Sequence, residues 1–242
     1  HAHARGITYF DSAPGYCGDH SEAIFGQALA QVPRASYVLS TKCGAADGES
    51  VRSSILRSCE RLGVDCIDCF HIWCLMSAED FENRLRGGAI AAAVRAREEG
   101  LIRHLVCSSH MPGDELAQVL ERGLFAGVTL GYNAINAPFR EAAVRCAGRL
   151  GLGVVTMNPL GGGLIPQHPQ RFAALAEAGD GAVVAGALRF LVSHPDVTCA
   201  LVGFSDCAQV DQAVEALAGW TGWDAERRAA LCAHLGEGFD DL

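Results

Sequence analysis

The chain has 242 residues, of which 50% are hydrophobic and 19% are charged, and its formal net charge is -9. This composition excludes a disordered polyampholyte and allows a large buried core. The negative charge argues against nucleic acid or an anionic membrane as a partner, and no apolar run reaches the roughly 20 residues that span a bilayer.

The eleven cysteines favour a reducing compartment over a disulfide framework. Their number is odd, and most of them lie in predicted strands or helices. Cys66 and Cys69 form a C-x-x-C pair, but in a strand these two side chains point to opposite faces. We therefore predict reduced core cysteines, a cytoplasmic protein and no metal site.

Short apolar runs alternate with amphipathic helical patterns along the whole chain. The predicted strands are apolar on both faces, which indicates a parallel sheet covered by helices. In chain order the predicted strands are ITYFDSA, YVLSTK, IDCFHIW, HLVCSS, GVTLGYN, GVVTMNPL and CALVGF. Glycines typical of helix ends follow several of the predicted helices, namely Gly63, Gly100, Gly123 and Gly151.

Two α/β architectures fit this order of elements. One is an open doubly wound sheet, and the other is an eight-stranded β/α barrel that lacks one unit. The glycine fingerprint G-x-G-x-x-G of the doubly wound dinucleotide-binding fold does not follow an early strand. The glycine-rich run PLGGGL lies late in the chain, at 159–164.

Polar residues stand at the predicted carboxyl ends of the strands, which form the active-site face of a β/α barrel. Asp11 and Lys42 end the first two strands, and Tyr16 lies in the loop after the first. A nearby ammonium can lower the pKa of a tyrosine from its usual value near 10, and a carboxylate can hold that ammonium. Such a trio can pass a proton to a carbonyl oxygen while a hydride reaches the carbon.

At these residues the sequence resembles the aldo-keto reductases. GITYFDSAPGY resembles the family's second strand and catalytic loop, YVLSTK its third strand, and HPDVTCALVGFSDCAQVDQAVEAL its eighth strand and cofactor-binding helix. The resemblance covers nearly the whole chain. It implies an α/β fold, a (β/α)8 TIM barrel, as a single domain over residues 1–242. It also implies oxidoreductase chemistry on a small-molecule carbonyl substrate with NADP or NAD as cofactor.

The family uses a catalytic tetrad of Asp, Tyr, Lys and His. Asp11, Tyr16 and Lys42 carry over, but Trp73 occupies the position of the histidine. Trp73 can donate one hydrogen bond or form an apolar wall for a flat substrate. His71 lies on the same strand face, about 6–7 Å deeper along the strand. We prefer an interior, hydrogen-bonded role for His71 over replacement of the missing histidine.

The resemblance also implies cofactor contacts, with departures from the family. Ser108 and Ser109 stand where the family holds the nicotinamide amide, and Met157 stands where an aromatic ring often stacks. Asp206 stands where many members have a basic or neutral residue near the adenosine phosphate, so the preference for NADP is open. The simpler interpretation of GFSDCAQV is a helix start capped by Ser205 or Asp206. The predicted cofactor-binding residues are Ser108, Ser109, Met157, Asn158, Leu160, Gly161, Gly163, Gly203, Ser205 and Gln212.

The family begins with a strand and helix before GITYFDSA, so the resemblance implies a barrel that lacks its first βα unit, and thus a fragment. TMNPLGGGLIPQ and Trp73 resemble a bacterial branch that often carries a C-terminal ferredoxin-like iron-sulfur segment, whose cluster cysteines are absent here. Two hypotheses stay open. One is an NAD(P)-dependent reductase. The other is a barrel without reductase activity, acting as a binding or regulatory subunit or running a different reaction, because Trp73 replaces the histidine.

Overall fold

The computed structural model describes residues 1–176 and 182–237. Within these residues, short parallel strands alternate with helices. The strands are β1 (Tyr9–Asp11), β2 (Val38–Cys43), β3 (Ile67–Leu75), β4 (Ile102–Ser109), β5 (Gly127–Gly131), β6 (Gly153–Met157) and β7 (Cys199–Ala200). The α-helices are α1 (Ser21–Leu29), α2 (Gly48–Leu62), α3 (Ala78–Arg86), α4 (Ala89–Glu98), α5 (Gly113–Leu120), α6 (Ala137–Arg149), α7 (Leu164–Gln167), α8 (Val183–Val192), α9 (Cys207–Leu217) and α10 (Ala225–Glu237).

The chain divides into two compact units. The first comprises Gly6–Met111 and Gln118–Val128, and the second comprises His1–Arg5, Pro112–Ala117 and Thr129–Leu242. The expectation of a single domain over residues 1–242 therefore stays a prediction.

In the first unit, β1, β2, β3 and β4 lie side by side in that order, and each neighbouring pair is parallel. The register puts Asp11 beside Ser40 and Lys42 beside His71. Because alternate strand residues face opposite sides, Ser40 and Lys42 share one face of β2, and Thr41 faces the other. Polar side chains of neighbouring strands are thereby brought together near their carboxyl ends.

Helix α2 shows how the sequence sets the element boundaries in this unit. Asp47 accepts a hydrogen bond from the Ser50 N–H and caps the first turn. Gly63 ends the helix in the left-handed conformation, at φ 66°, which glycine adopts without steric cost. The apolar face of α2 is buried at Val51 and Ile55, so the helix is fixed along its length.

In the second unit, β6 and β7 are paired in parallel, and α8 packs against α9. The contact between these helices is a small apolar cluster formed by Ala185, Leu188, Ala213 and Ala216. Tyr132, buried in the same unit, is hydrogen-bonded to Glu141 and Arg228. Satisfied polar groups of this kind allow charged side chains inside a core.

The strand predictions and the α/β class are confirmed in chain order. Two predicted strands are shorter than the apolar runs suggest, because only part of each run pairs with a neighbour: β1 has three residues and β7 has two. No helix in the described part of the chain is both long and apolar enough to cross a membrane.

Candidate active site

Lys42 and Asp11 form a buried ion pair at the carboxyl ends of β2 and β1. Lys42 Nζ donates to Asp11 Oδ2 at 2.5 Å and to the Ser12 carbonyl oxygen at 2.7 Å. Lys42 is 3% exposed. Burial lowers the pKa of the Lys42 ammonium, and the charge and hydrogen bond of Asp11 oppose that change. The pair therefore fixes the position of Lys42 through two directed bonds.

Tyr16 lies in the loop after β1, beside this pair. The Lys42 Nζ is 5.3 Å from the centroid of the Tyr16 ring, and Tyr16 is 40% exposed. Partial burial raises the pKa of the Tyr16 phenol, and the charges of Asp11 and Cys74 raise it further. The sequence analysis predicts that the Lys42 ammonium lowers the pKa of Tyr16, but the net change in that pKa is upward. The phenol is thus kept in its protonated form at neutral pH.

Trp73 also lies against Tyr16. The two rings meet edge to face, with 5.8 Å between their centroids. The pairing of β3 with β4 is irregular between Ile72 and Leu75, and Cys74 takes a left-handed backbone at φ 62°. The Cys74 N–H donates to Ser108 Oγ at 3.0 Å and holds this irregular turn. Trp73 therefore contributes an aromatic wall next to the phenol.

His71 is an interior histidine in the same unit. It is 1% exposed, and its Nδ1 lies 3.2 Å from both Ser40 Oγ and the Thr41 carbonyl oxygen. Because a carbonyl oxygen can only accept, Nδ1 carries the proton. Burial, aided by the charge of Lys42, lowers the pKa of His71 to about 4. His71 is therefore neutral at neutral pH, as the preferred interior interpretation requires.

Ser40 links His71 to the ion pair. Its hydroxyl donates to Asp11 Oδ1 at 2.7 Å, while Asp11 Oδ2 holds Lys42. The sequence analysis did not single out Ser40. Its position two residues before Lys42, on the same strand face, is the signal that could have found it.

The two serines after β4 differ in what their hydroxyls can still do. The Ser109 hydroxyl donates to the Leu75 carbonyl oxygen at 2.9 Å and accepts from the Met111 N–H at 3.0 Å. Ser108 accepts from the Cys74 N–H, and its own hydroxyl proton can still be donated. Ser108 is therefore the better candidate to hold a nicotinamide amide, and Ser109 holds the loop.

The glycine-rich loop after β6 lies in the second unit. Gly161, Gly162 and Gly163 all have positive φ angles, which side chains rarely adopt. The Asn158 side chain accepts from the Gly162 N–H, and the Leu160 carbonyl oxygen accepts from the Gly163 N–H. Asn158 and Leu160 thus shape this loop from within. Met157, at the end of β6, is half-buried.

The connection from β7 to α9 lies in the same unit. Asp206 caps α9 by accepting from the Gln209 N–H at 2.9 Å, and the Gln209 side chain accepts from the Ser205 N–H. Asp206 is thus the helix cap, and the Ser205 side chain does not take that role. Gly203 is exposed, and a Cβ added there would meet no atom within 4 Å. Gln212 lies exposed on α9.

The predicted cofactor residues of the second unit have features that suit the phosphate groups of a dinucleotide, with one exception. The open space above Gly203, the glycine-rich loop and the start of α9 are features that phosphate groups use. The exception is Asp206, whose carboxylate at the helix start disfavours a further phosphate.

Three residues that organise the Tyr16 loop were also missed by sequence reasoning: Asp19, Glu22 and Arg61. Asp19 and Arg61 are hydrogen-bonded to each other although they lie 42 residues apart. Nothing in the local sequence predicts this contact, because it depends on how α2 packs beside the loop.

Among the described residues, no group of three or more His, Cys, Asp or Glu side chains is arranged to hold a metal ion.

Comparison with known proteins gives one family. The Aldo/keto reductase family model matches residues 1–219. L-galactose dehydrogenase of Arabidopsis thaliana is 30% identical over an alignment of 244 positions that covers 88% of this chain and 74% of that protein. The NADH-specific methylglyoxal reductase of Escherichia coli (strain K12) is 28% identical over an alignment of 185 positions that covers 68% of this chain and 56% of that protein.

A solved structure gives the same result for the fold. The holo form of an aldo-keto reductase from Bacillus halodurans matches with a TM-score of 0.81 at 20% identity, and the match covers 98% of this chain and 84% of that one. At this identity the likeness establishes the fold, which is the (β/α)8 barrel type with one βα unit fewer. The sequence-based expectation of this fold and family is confirmed.

Proposed function

The chain belongs to the aldo/keto reductase family, and on that premise we propose that it is an NAD(P)-dependent oxidoreductase acting on a small carbonyl compound or alcohol. The observation that carries the proposal is the buried ion pair of Lys42 and Asp11 beside the Tyr16 ring. A lysine costs free energy to bury, and here it is held by two bonds next to a phenol. A purely structural role would not need that neighbour.

In the proposed reaction, Tyr16 is the general acid. A bound nicotinamide would supply or accept the hydride. As the hydride reaches the carbonyl carbon, the Tyr16 phenol donates its proton to the carbonyl oxygen. The raised pKa of Tyr16 keeps the phenol loaded with that proton, and the adjacent Lys42 charge stabilises the phenolate that is left. Asp11 keeps Lys42 in place throughout.

Trp73 would select the substrate. Its indole offers one neutral donor and a large apolar face beside Tyr16. We expect substrates with a broad face to bind better than small polar aldehydes. The names of two relatives give substrates of different size, since one is an L-galactose dehydrogenase and the other is a methylglyoxal reductase. A panel of an aldose, methylglyoxal and an aromatic aldehyde would rank these classes.

We propose NADH as the preferred cofactor. Asp206 is exposed at the start of α9, where the resemblance expects the adenosine phosphate, and its carboxylate would repel a 2'-phosphate. The name of one relative, NADH-specific methylglyoxal reductase, supports the same preference.

The second candidate is a barrel that binds the cofactor or another ligand without reducing a carbonyl. Trp73 favours it, because an indole cannot transfer a proton as the family's histidine can. The neutral, interior His71 does not supply that function from its position in the core. The Lys42 and Asp11 pair favours the first candidate, since a site without proton transfer has no use for it.

Tyr16→Phe tests the proposal. The substitution removes the acid but keeps the ring, so turnover should fall by about 10²–10⁴-fold while cofactor affinity stays within about twofold. Steady-state kinetics and fluorescence titration with NADH measure the two quantities. Tyr37→Phe, at a buried tyrosine in the same unit, is the matched control and should keep its turnover. Unchanged turnover in Tyr16→Phe would reject Tyr16 as the proton donor.

A further inference from the structure

Arg61, near the end of α2, is bonded to the loop that carries Tyr16. Its Nη1 donates to Asp19 Oδ1 at 2.9 Å, and its Nη2 donates to the Asp19 carbonyl oxygen. The same Asp19 Oδ1 accepts from the Gly15 N–H at 3.0 Å. Gly15 directly precedes Tyr16, so one carboxylate oxygen joins the guanidinium to the backbone next to the phenol.

The loop has a backbone that needs such support. Gly15, Cys17, Gly18 and Asp19 all have positive φ angles, at 84°, 52°, 63° and 71°. For Cys17 and Asp19 this conformation costs free energy, and it persists only where surrounding contacts hold it. The Tyr16 carbonyl oxygen accepts from the His20 and Ser21 N–H groups at 3.2 Å each, which closes the turn. The direction of the Tyr16 side chain therefore depends on how this loop is held.

The Arg61 nitrogen that binds Asp19 Oδ1 also faces a buried carboxylate. Arg61 Nη1 is 3.7 Å from Glu22 Oε2, and Glu22 is 1% exposed. Glu22 Oε1 accepts from Thr41 Oγ1 at 2.6 Å, while Oε2 has no hydrogen bond within the described residues. Thr41 directly precedes Lys42 on β2. A buried carboxylate of this kind needs a facing cation, because an isolated buried charge is costly.

We propose that Arg61 is a positioning residue for the reaction, which sets the place of Tyr16 relative to Lys42 through its contacts with Asp19 and Glu22. The inference rests on the proposed function, since it assigns Arg61 a role through the general acid. The planar guanidinium suits it, because its nitrogens bind Asp19 at two atoms while the group still faces Glu22. A lysine could make only part of these contacts.

Arg61→Met is the first test, with Arg57→Met as the matched control. Arg57 lies one turn earlier on α2, is exposed, and acts on Asp19 through its charge. Arg61→Met should lower kcat by about ten- to hundredfold, because a small misplacement of a catalytic group costs that much, and it should change KM for the cofactor little. Arg61→Lys should recover part of the loss, and Arg57→Met should keep the wild-type kcat.

A titration that needs no turnover separates this inference from the proposed function. The Tyr16 phenolate absorbance, taken as the difference between each variant and the same variant carrying Tyr16→Phe, gives the pKa of Tyr16. Loosening the loop exposes the ring, so the pKa of Tyr16 should fall in Arg61→Met and stay unchanged in Arg57→Met. If the wild type reduces no carbonyl, the proposed function fails, and this titration still decides whether Arg61 positions Tyr16.

Asp19→Ala is the second variant, for the case in which Arg61→Met does not fold. It removes the side-chain link to Gly15 and leaves Arg61 facing Glu22. Asp19→Ala should lower both the pKa of Tyr16 and kcat. Asp19→Asn keeps an oxygen for the Gly15 N–H, so it should lower both quantities by less. A folded Arg61→Met or Asp19→Ala with wild-type kcat and an unchanged phenol titration would overturn the inference.

Discussion

At the scale of single residues, Asp11 acts on both partners of the proposed proton transfer. Burial raises the pKa of Tyr16, and the charge of Asp11 raises it further. Burial lowers the pKa of Lys42, and Asp11 opposes that change. In the proposed reaction, reduction requires protonated Tyr16, so activity should be present below the pKa of Tyr16 and should be lost as the pH rises through it. The carboxylate thereby widens the pH range in which the acid is loaded and the lysine is charged.

Asp11→Asn should therefore move the alkaline limb of the reductive kcat/KM profile to lower pH. Both the Tyr16 phenol and the Lys42 ammonium would lose their protons earlier, and the two effects act in the same direction. The measurement is kcat/KM from about pH 6 to pH 11, which spans the ordinary values for these groups. Asp65→Asn, at an exposed position of the same unit, is the control. A limb that stays in place or moves to higher pH contradicts this role of Asp11.

Trp73 is the residue at which the resemblance implies the largest departure from the family. Its ring lies against Tyr16, so a histidine there would stand next to the reacting carbonyl and could orient and polarise it. Trp73→His should raise turnover of small aldehydes by about tenfold and lower it for substrates with a broad face. The comparison uses two substrates of different size with each protein, after a melting curve has shown that the variant is folded. If small-aldehyde turnover stays flat while NADH still binds, the non-reductase candidate becomes the better one.

Among the elements, helix α9 begins at a side chain, Asp206, for which we propose a selective role beside its structural one. Asp206 caps the helix by accepting from the Gln209 N–H, and the same carboxylate would face a 2'-phosphate. Serine is about as good a cap as aspartate but carries no charge. The two roles can therefore be separated by a single substitution.

Asp206→Ser should tighten NADPH binding by about fivefold at low ionic strength and change NADH binding little, because only NADPH carries the repelled phosphate. Fluorescence titration of each cofactor gives the ratio of the two dissociation constants. Asp47→Ser, at the cap of α2, makes the same change at a helix start in the other unit, and it should leave the ratio unchanged. An equal change for both cofactors would show that Asp206 does not read the 2'-phosphate.

The strand ends are the other element-scale feature. β2 contributes side chains to two networks, because its alternate residues face opposite sides. Ser40 and Lys42 join Asp11 on one face, and Thr41 joins Glu22 on the other. Through Thr41 and Glu22, β2 thus connects the candidate acid-base site to Arg61.

For the complete chain, cofactor binding should appear as an increase in thermal stability. A ligand that binds only the folded chain stabilises it by about 2.7 kcal/mol at 100 times its dissociation constant. For a chain of this length, that corresponds to a rise in Tm of roughly 5–11 °C. NADH at that excess should therefore shift the melting curve of the full chain, whether or not the chain reduces a carbonyl.

Gly203→Ala supplies the matched variant for this measurement. A Cβ at this position meets no protein atom within 4 Å, so the Tm without cofactor should stay within about 2 °C of the wild type. If the dinucleotide passes over Gly203, the added methyl group should cut the NADH-induced shift by more than half. A full shift in Gly203→Ala would move the cofactor path away from this residue.

The order of the strands, the α/β class and the family could be inferred from the amino-acid sequence alone. Hydrophobic periodicity is a local property, and the runs around Asp11 and Lys42 carry it within a few residues. The residue types of the candidate site could also be inferred from short segments, because the strand ends of a barrel fold bring their polar side chains to one face. The cap of α9 could be narrowed to Ser205 or Asp206, since a cap depends on residues three positions apart, and the structure identifies Asp206.

How those side chains are held depends on contacts between residues far apart in the chain, which only the folded structure shows. Burial sets the pKa of Tyr16 upward and that of His71 downward, and burial cannot be read from neighbours in the sequence. The contact between Asp19 and Arg61 depends on the packing of α2 beside the Tyr16 loop. These properties belong to distances between residues far apart in the chain. The sequence therefore names the groups of the site, and the fold fixes their charge and position.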